Sequence, residues 1–219
     1  MAAPNRVGAA GARGRLNVGG ARKCGRVPAG QDGRHDEQTE TASVTQVDMD
    51  ALLREHPAGF SLPGAAYHSE AAYRIDLDRI FGTQWLFACN GVEIPAPGDI
   101  VTVPVGADSV IVLRDRDGGV RAFHNTCRHR GSRICLTDKG HAARLVCPYL
   151  QWTYDLDGAL IHANQMGEDF RADDHALAQV HVETVCGMIY ICLAETPPDF
   201  ARYRSAITPH IAPHAPERT

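Results

Sequence analysis

Short runs of β-branched residues separated by tight turns fill residues 97–193. They leave room for little but a small antiparallel fold. Segments 99–105 and 110–114 are rich in Val and Ile, which suit the pleated, half-buried surface of a strand. Asp117-Gly118 is a hairpin signal, because a tight primed turn needs positive φ and Gly supplies it without strain. Segment 120–123 then returns. Segments 144–147 and 152–155 are short strands, and Asp157-Gly158 turns the chain into 159–162. Segments 179–185 and 187–193 close the series. The fold expected is all-β, a small antiparallel sandwich or barrel, with one or two short helices ahead of it.

Residues 1–47 are different material. They hold seven basic and four acidic residues, a net of +3, whereas 48–219 hold fifteen and twenty-two, a net of -7. The head is rich in Gly, Ala and Arg, has no period of 2 or 3.6, and reads as disordered. Order is expected from residue 48. A short helix spans 48–55 around Leu52 and Leu53, and a second spans 69–81. Ser69 is its N-cap, Glu70 suits its first turn, and Tyr73, Leu77, Ile80 and Phe81 share one face. Pro197 and Pro198 are expected to end the regular structure and leave a loose tail. The organisation expected is therefore a basic head at 1–47, a helical segment at 48–96, a β domain at 97–198 and a tail at 199–219.

Several function classes drop out. The longest apolar runs, 110–113 and 188–194, fall far short of the roughly 20 residues that span a bilayer. The net charge of -4 disfavours a general nucleic-acid binder. The start lacks the apolar segment of a secretion signal, so the seven cysteines read as thiols or metal ligands rather than a disulfide framework. A cytoplasmic protein without membrane or nucleic-acid partners is expected.

Two segments carry the chemistry: Cys127-Arg128-His129-Arg130-Gly131 and Cys147-Pro148-Tyr149-Leu150-Gln151-Trp152. Each lies between expected strands, so each is a loop, and Gly131 and Pro148 shape tight loops. Cys127 and His129 converge from one loop, and Cys147 arrives from the other. Thiolates and imidazoles on opposed loops suit a soft metal or an iron–sulfur cluster.

These two loops resemble the Rieske [2Fe–2S] motif, Cys-x-His followed by Cys-x-x-His, in the form typical of the alpha subunits of Rieske non-heme iron oxygenases. Trp85-Leu86-Phe87, Pro97-Gly98-Asp99 and Asp155-Leu156-Asp157-Gly158 extend the resemblance over roughly residues 55–200, nearest to the glycine betaine oxygenase subgroup. The resemblance implies a Rieske-type β fold with two cluster-binding loops and a [2Fe–2S] cofactor, with two Cys on one iron and two His on the other. It implies an oxidoreductase role, relaying electrons from a reductase or ferredoxin to a mononuclear iron. The two cysteines that form a loop-bridging disulfide in the cytochrome type are replaced by Ser132 and Tyr149.

Carried over residue by residue, the ligands are Cys127, Cys147 and His129. Leu150 stands where the second histidine belongs, and leucine has no lone pair. Gln151 should point elsewhere by alternation, and His141 and His162 substitute only if their loops fold over. The carboxylate-x-x-His-x4-His pattern of the catalytic iron is absent, so no catalytic residue is assigned. A catalytic oxygenase subunit or a further copy of the chain is then the implied partner. Two alternatives stand beside the relay: a cluster-less relic or binding module, and a Cys2His zinc site on the same three residues.

Other residues have blander readings. Cys89, Cys186 and Cys192 read as core, Cys135 has no partner on the second loop, and Cys24 lies in the head. Arg128, Arg130 and Arg133 read as solvated surface, with docking of an acidic partner as the functional option. Trp152 reads as packing behind the loop, and His124 as a strand-end residue. His210 and His214 have i, i+4 spacing, but Pro209 and Pro213 argue against the helix a metal pair would need.

Overall fold

The computed structural model describes residues 51, 54, 56–164, 166–215 and 217. The basic head, Cys24 and most of the expected helix at 48–55 lie outside them. Among the described residues, ten strands form three antiparallel sheets, which is the Rieske-type β architecture expected. In chain order they are β1 Leu86–Asn90, β2 Asp99–Val105, β3 Asp108–Arg114, β4 Val120–His124, β5 Lys139–His141, β6 Leu145–Val146, β7 Thr153–Tyr154, β8 Leu160–His162, β9 His181–Val185 and β10 Met188–Cys192. The sheets are ordered β1-β10-β9, β4-β3-β2-β5 and β6-β7-β8. Strand β5 was not expected. It has no apolar residue and pairs only with the edge of β2.

Strand β3 explains the architecture. Val110 and Val112 point into a core shared with Cys89, Ile94, Ile189 and Ile191. Ile111 and Leu113 point into a second core with Phe123, Trp152, Tyr154 and both loop cysteines. All four β3 residues are fully buried, so the run reads as continuously apolar rather than alternating. The four-stranded sheet is thus the middle layer. One face meets the β1-β10-β9 sheet, and the other meets the small β6-β7-β8 sheet and the loops.

The two Asp-Gly turns have the same form. Asp115 N–H donates to Gly119 O and Gly118 N–H to Asp115 O; Asp155 N–H donates to Ala159 O and Gly158 N–H to Asp155 O. Gly118 and Gly158 have φ of 82° and 91°. At Gly158 the requirement is also steric, since a Cβ would lie 2.5 Å from Phe123 Cε1. The Arg116 guanidinium ties the two turns together, donating from Nε and Nη2 to Asp155 Oδ1 at 3.0 and 2.7 Å.

Three expectations need correction. First, the helix at 69–81 is split into α2 Glu70–Asp76 and a π-helical turn, Leu77–Phe81, and follows a short helix α1 Gly64–His68. Ser69 does cap α2, accepting from Ala72 N–H. The apolar face, however, leaves Tyr73, Ile80 and Phe81 exposed. The π turn rotates the later residues out of register with the earlier ones, and Leu77 packs on Gly106 at the β2–β3 turn instead.

Second, regular structure does not end at Pro198. Helix α3 spans Phe200–Ile211 and contains Pro209. Asp199 caps it, accepting from Ala201 N–H. Phe200 packs edge-on to Trp85 at 4.8 Å, and Tyr203 and Ile207 join the same cluster. Near a C-terminus a proline costs only the last hydrogen bonds, and burial of Phe200 offsets that. His210 ends up in α3, whereas His214 sits in the following 3-10 turn.

Third, Cys186, expected in the core, only packs against its edge. It is half-buried in the β9–β10 turn, with φ of 48° beside Gly187 at 75°. Cys89 and Cys192 are core, as expected.

Candidate metal centre

The two loops are built on one hydrogen-bond frame. In the first, Cys127 N–H donates to Ser132 O at 2.8 Å and Gly131 N–H donates to Cys127 O at 3.0 Å. In the second, Cys147 N–H donates to Trp152 O at 2.8 Å and Gln151 N–H donates to Cys147 O at 3.0 Å. Each loop therefore starts on a cysteine and closes five residues later. The residue before the closing one has positive φ, 71° at Gly131 and 58° at Gln151. Gln151 is thus a left-handed turn residue. The extended alternation expected for it does not apply.

The frame buries both cysteines to 2% exposure and in one core cluster, where the Cys147 side chain is among the groups that act on the Cys127 thiol. Tyr154, fully buried on β7, accepts from Arg128 N–H at 3.0 Å and meets Cys127 Sγ at 3.3 Å. The His129 backbone N–H, like the Tyr154 hydroxyl, favours the ionised Cys127 sulfur. Burial pushes the Cys127 thiol above its ordinary range, against the pull of these donors. His129 itself is half-buried and lies flat on Trp152, with centroids 4.7 Å apart. Trp152 is 1% exposed and touches Phe170 and His175 at its edges. The reading of Trp152 as packing behind the loop holds.

Asn125 is a site residue that the sequence reading missed. It is 1% exposed. Its Oδ1 accepts from Ile134 and Cys135 N–H, and its Nδ2 donates to Ser109 Oγ and Cys135 O. It therefore fastens the far end of the first loop to the start of β3. An Asn two residues before the loop cysteine was its only signal.

Residues 84–184 match the family model of the Rieske [2Fe-2S] domain. The chain carries a Rieske domain. It is 43% identical over 176 residues to the glycine betaine monooxygenase oxygenase subunit of Pseudomonas aeruginosa, covering 80% of this chain and 40% of that one. It is 42% identical over 180 residues to the Chromohalobacter salexigens protein of that name, covering 82% and 40%. The solved naphthalene 1,2-dioxygenase of Rhodococcus sp. superposes with a TM-score of 0.65 at 28% identity, over 71% of this chain and 36% of that one. The chain spans about two fifths of the length of these curated relatives.

A Rieske domain implies a [2Fe–2S] cluster on two cysteines and two histidines. Cys127 and Cys147 suit the first iron, sharing one buried place. His129 suits the second. At the tip of the second loop, where the remaining imidazole belongs, stands Leu150, 42% exposed and without a donor atom. The residues of this Rieske domain fit three of the cluster's four protein bonds and do not fit the fourth.

The other named histidines are engaged elsewhere. His141 Nδ1 pairs with Asp99 at 2.9 Å on the β5 edge, and His162 lies opposite Thr153 at the end of β8. His124 ends β4, as expected. Arg128, Arg130 and Arg133 are exposed. Cys135 packs half-buried against the core of the loops, and burial pushes its thiol up to about 11. Among the described residues no three His, Cys, Asp or Glu side chains gather closely enough for one metal ion. The zinc alternative on Cys127, His129 and Cys147 thus has no geometric support. No helix among the described residues is long and apolar enough to cross a membrane.

Proposed function

We propose that this chain is an electron-transfer domain of the oxygenase alpha-subunit type. It would stand between a reductase or ferredoxin and a mononuclear iron held outside these residues, in a catalytic subunit or a further copy of the chain. Its place would be cytoplasmic. The observation that carries this reading is the matched pair of loops, which buries Cys127 and Cys147 together and sets His129 on Trp152. Such a frame serves a buried inorganic centre and has no evident use in a plain β-sandwich. Similarity to proteins named for glycine betaine supports a quaternary ammonium compound as the substrate of the oxygenase served.

The test is anaerobic reconstitution with iron and sulfide. Rieske-type visible bands and a reduced-state EPR signal are expected. A protein that stays colourless, with iron and sulfide unbound, overturns the relay.

Leu150 favours a second reading, a folded binding module that holds no cluster. Under it the parent is colourless and the Leu150→His variant gains the bands. A variant that also stays colourless while folded would refute the idea that one side chain separates the two states.

A further inference from the structure

The disagreement at Leu150 bears on the two cysteines. Cys127 and Cys147 open loops of identical frame and are 2% exposed, and the Cys147 side chain is among the groups that act on the Cys127 thiol. Both lie in one core cluster with Trp152 and Tyr154. A complete ligand set would commit both sulfurs to iron. This chain lacks that set, and a neighbouring pair of uncommitted thiols has chemistry of its own.

We propose that Cys127 and Cys147 form a reversible disulfide, the oxidised state of a site whose ligand set Leu150 leaves incomplete. The inference rests on the second reading above, and its failure is separable from that of the relay. Burial selects the oxidant. A bulky disulfide such as oxidised glutathione cannot reach sulfurs this enclosed, so the co-reactant is a small peroxide. One thiol sulfur takes an oxygen from hydrogen peroxide, the O–O bond breaks, and water leaves behind a sulfenic acid. The neighbouring sulfur then attacks it; the S–S bond forms, the S–O bond breaks, and a second water leaves. Two thiols and one peroxide yield one disulfide and two waters. Burial excludes bulky thiols in the same way, so an external dithiol restores the pair by exchange only when the loops open.

The sequence makes the test direct. Arg128, Arg133, Lys139 and Arg144 place Cys127, Cys135 and Cys147 on separate tryptic peptides. The full chain is purified anaerobically, assayed for iron and sulfide, treated with hydrogen peroxide, alkylated and digested. Expected is a linked pair of the Cys127 and Cys147 peptides, about 2 Da lighter than their sum and separated by dithiothreitol. In the Leu150→His variant loaded with iron and sulfide, loss of that linked pair is expected. Should that variant fail to load, Cys127→Ser serves instead: Cys147 without its partner is expected to proceed to sulfinic acid.

Three results overturn the inference. One is thiols that stay unlinked in the peroxide-treated parent, whether alkylated or over-oxidised. Another is a link through Cys135. The third is a parent that carries a full complement of iron and sulfide through the treatment unlinked, and this last upholds the relay.

Discussion

The imidazole of His129 lies on the indole of Trp152 with ring centroids 4.7 Å apart and planes inclined by 15°. The stack sets the direction of the only histidine among the proposed ligands, and the buried indole fixes it from behind. Trp152→Ala removes both the stack and a large part of the core of the loops. A loss of about 3–5 kcal/mol of stability is expected, the usual cost of deleting a buried aromatic. Trp152→Phe should lose less and keep the loop folded. Urea unfolding of the two variants beside the parent checks the order.

Tyr154 joins the loop from the other side. Tyr154→Phe keeps the ring and deletes the hydroxyl that meets Cys127 Sγ and Arg128 N–H. The Arg128 amide loses its partner, and destabilisation of about 1–3 kcal/mol is expected. The amide of Arg128 should also exchange with solvent faster. Hydrogen exchange at that amide distinguishes this local effect from a general loosening.

Asn125→Ala breaks four hydrogen bonds at once. Two backbone amides, Ile134 and Cys135, lose their acceptor, at about 1–3 kcal/mol each if neither finds water. The segment after Gly131 should become the least protected part of the β domain. Asn125→Asp retains the acceptor for those amides and can accept from the Ser109 hydroxyl, but it sets a carboxylate oxygen against Cys135 O, so it is expected to rescue the fold only in part.

Asp115 sets an acid limit. Its carboxylate is nearly buried and accepts from Arg121 Nε, Gly119 N–H and Asp117 N–H. Burial by itself would raise its pKa, but the guanidinium and the two amides outweigh it, and the group ionises below its ordinary value. A lowered folded pKa contributes stability above the unfolded value of about 3.9. That stability is lost as pH falls through the folded pKa. Asp115→Asn should therefore lower stability at neutral pH and flatten its dependence on pH below about 4. Denaturation midpoints measured from neutral to acid pH check both parts; an unchanged acid slope would reject them.

Much of the β domain was legible because its turns are written locally. Asp117-Gly118 and Asp157-Gly158 need left-handed glycines wherever they occur, and β3 has too many branched apolar residues to be anything else. The loops were legible because Cys127, His129 and Cys147 announce their chemistry. The rest depends on partners far along the chain. Phe200 makes α3 worthwhile only because Trp85 waits for it, and nothing near Pro209 records that. The same holds for Asn125, whose partners lie at Ser109 and Cys135, and for Gln151, whose left-handed backbone follows from the loop frame rather than from its own preferences. The apolar face of 69–81 shows the opposite failure: local periodicity was present, but a π turn divided it.

The shared frame of the two loops has an evolutionary consequence. The backbone bonds that close the second loop join Cys147, Gln151 and Trp152, and none involves residue 150. The loop frame therefore does not depend on a hydrogen bond from the residue that stands there. Some leucine codons become histidine codons by a single-base change, so a lineage could cross between donor and non-donor without passing through an unfolded ancestor. The loop behaves as a socket whose fitting can be exchanged while the mount stays in place.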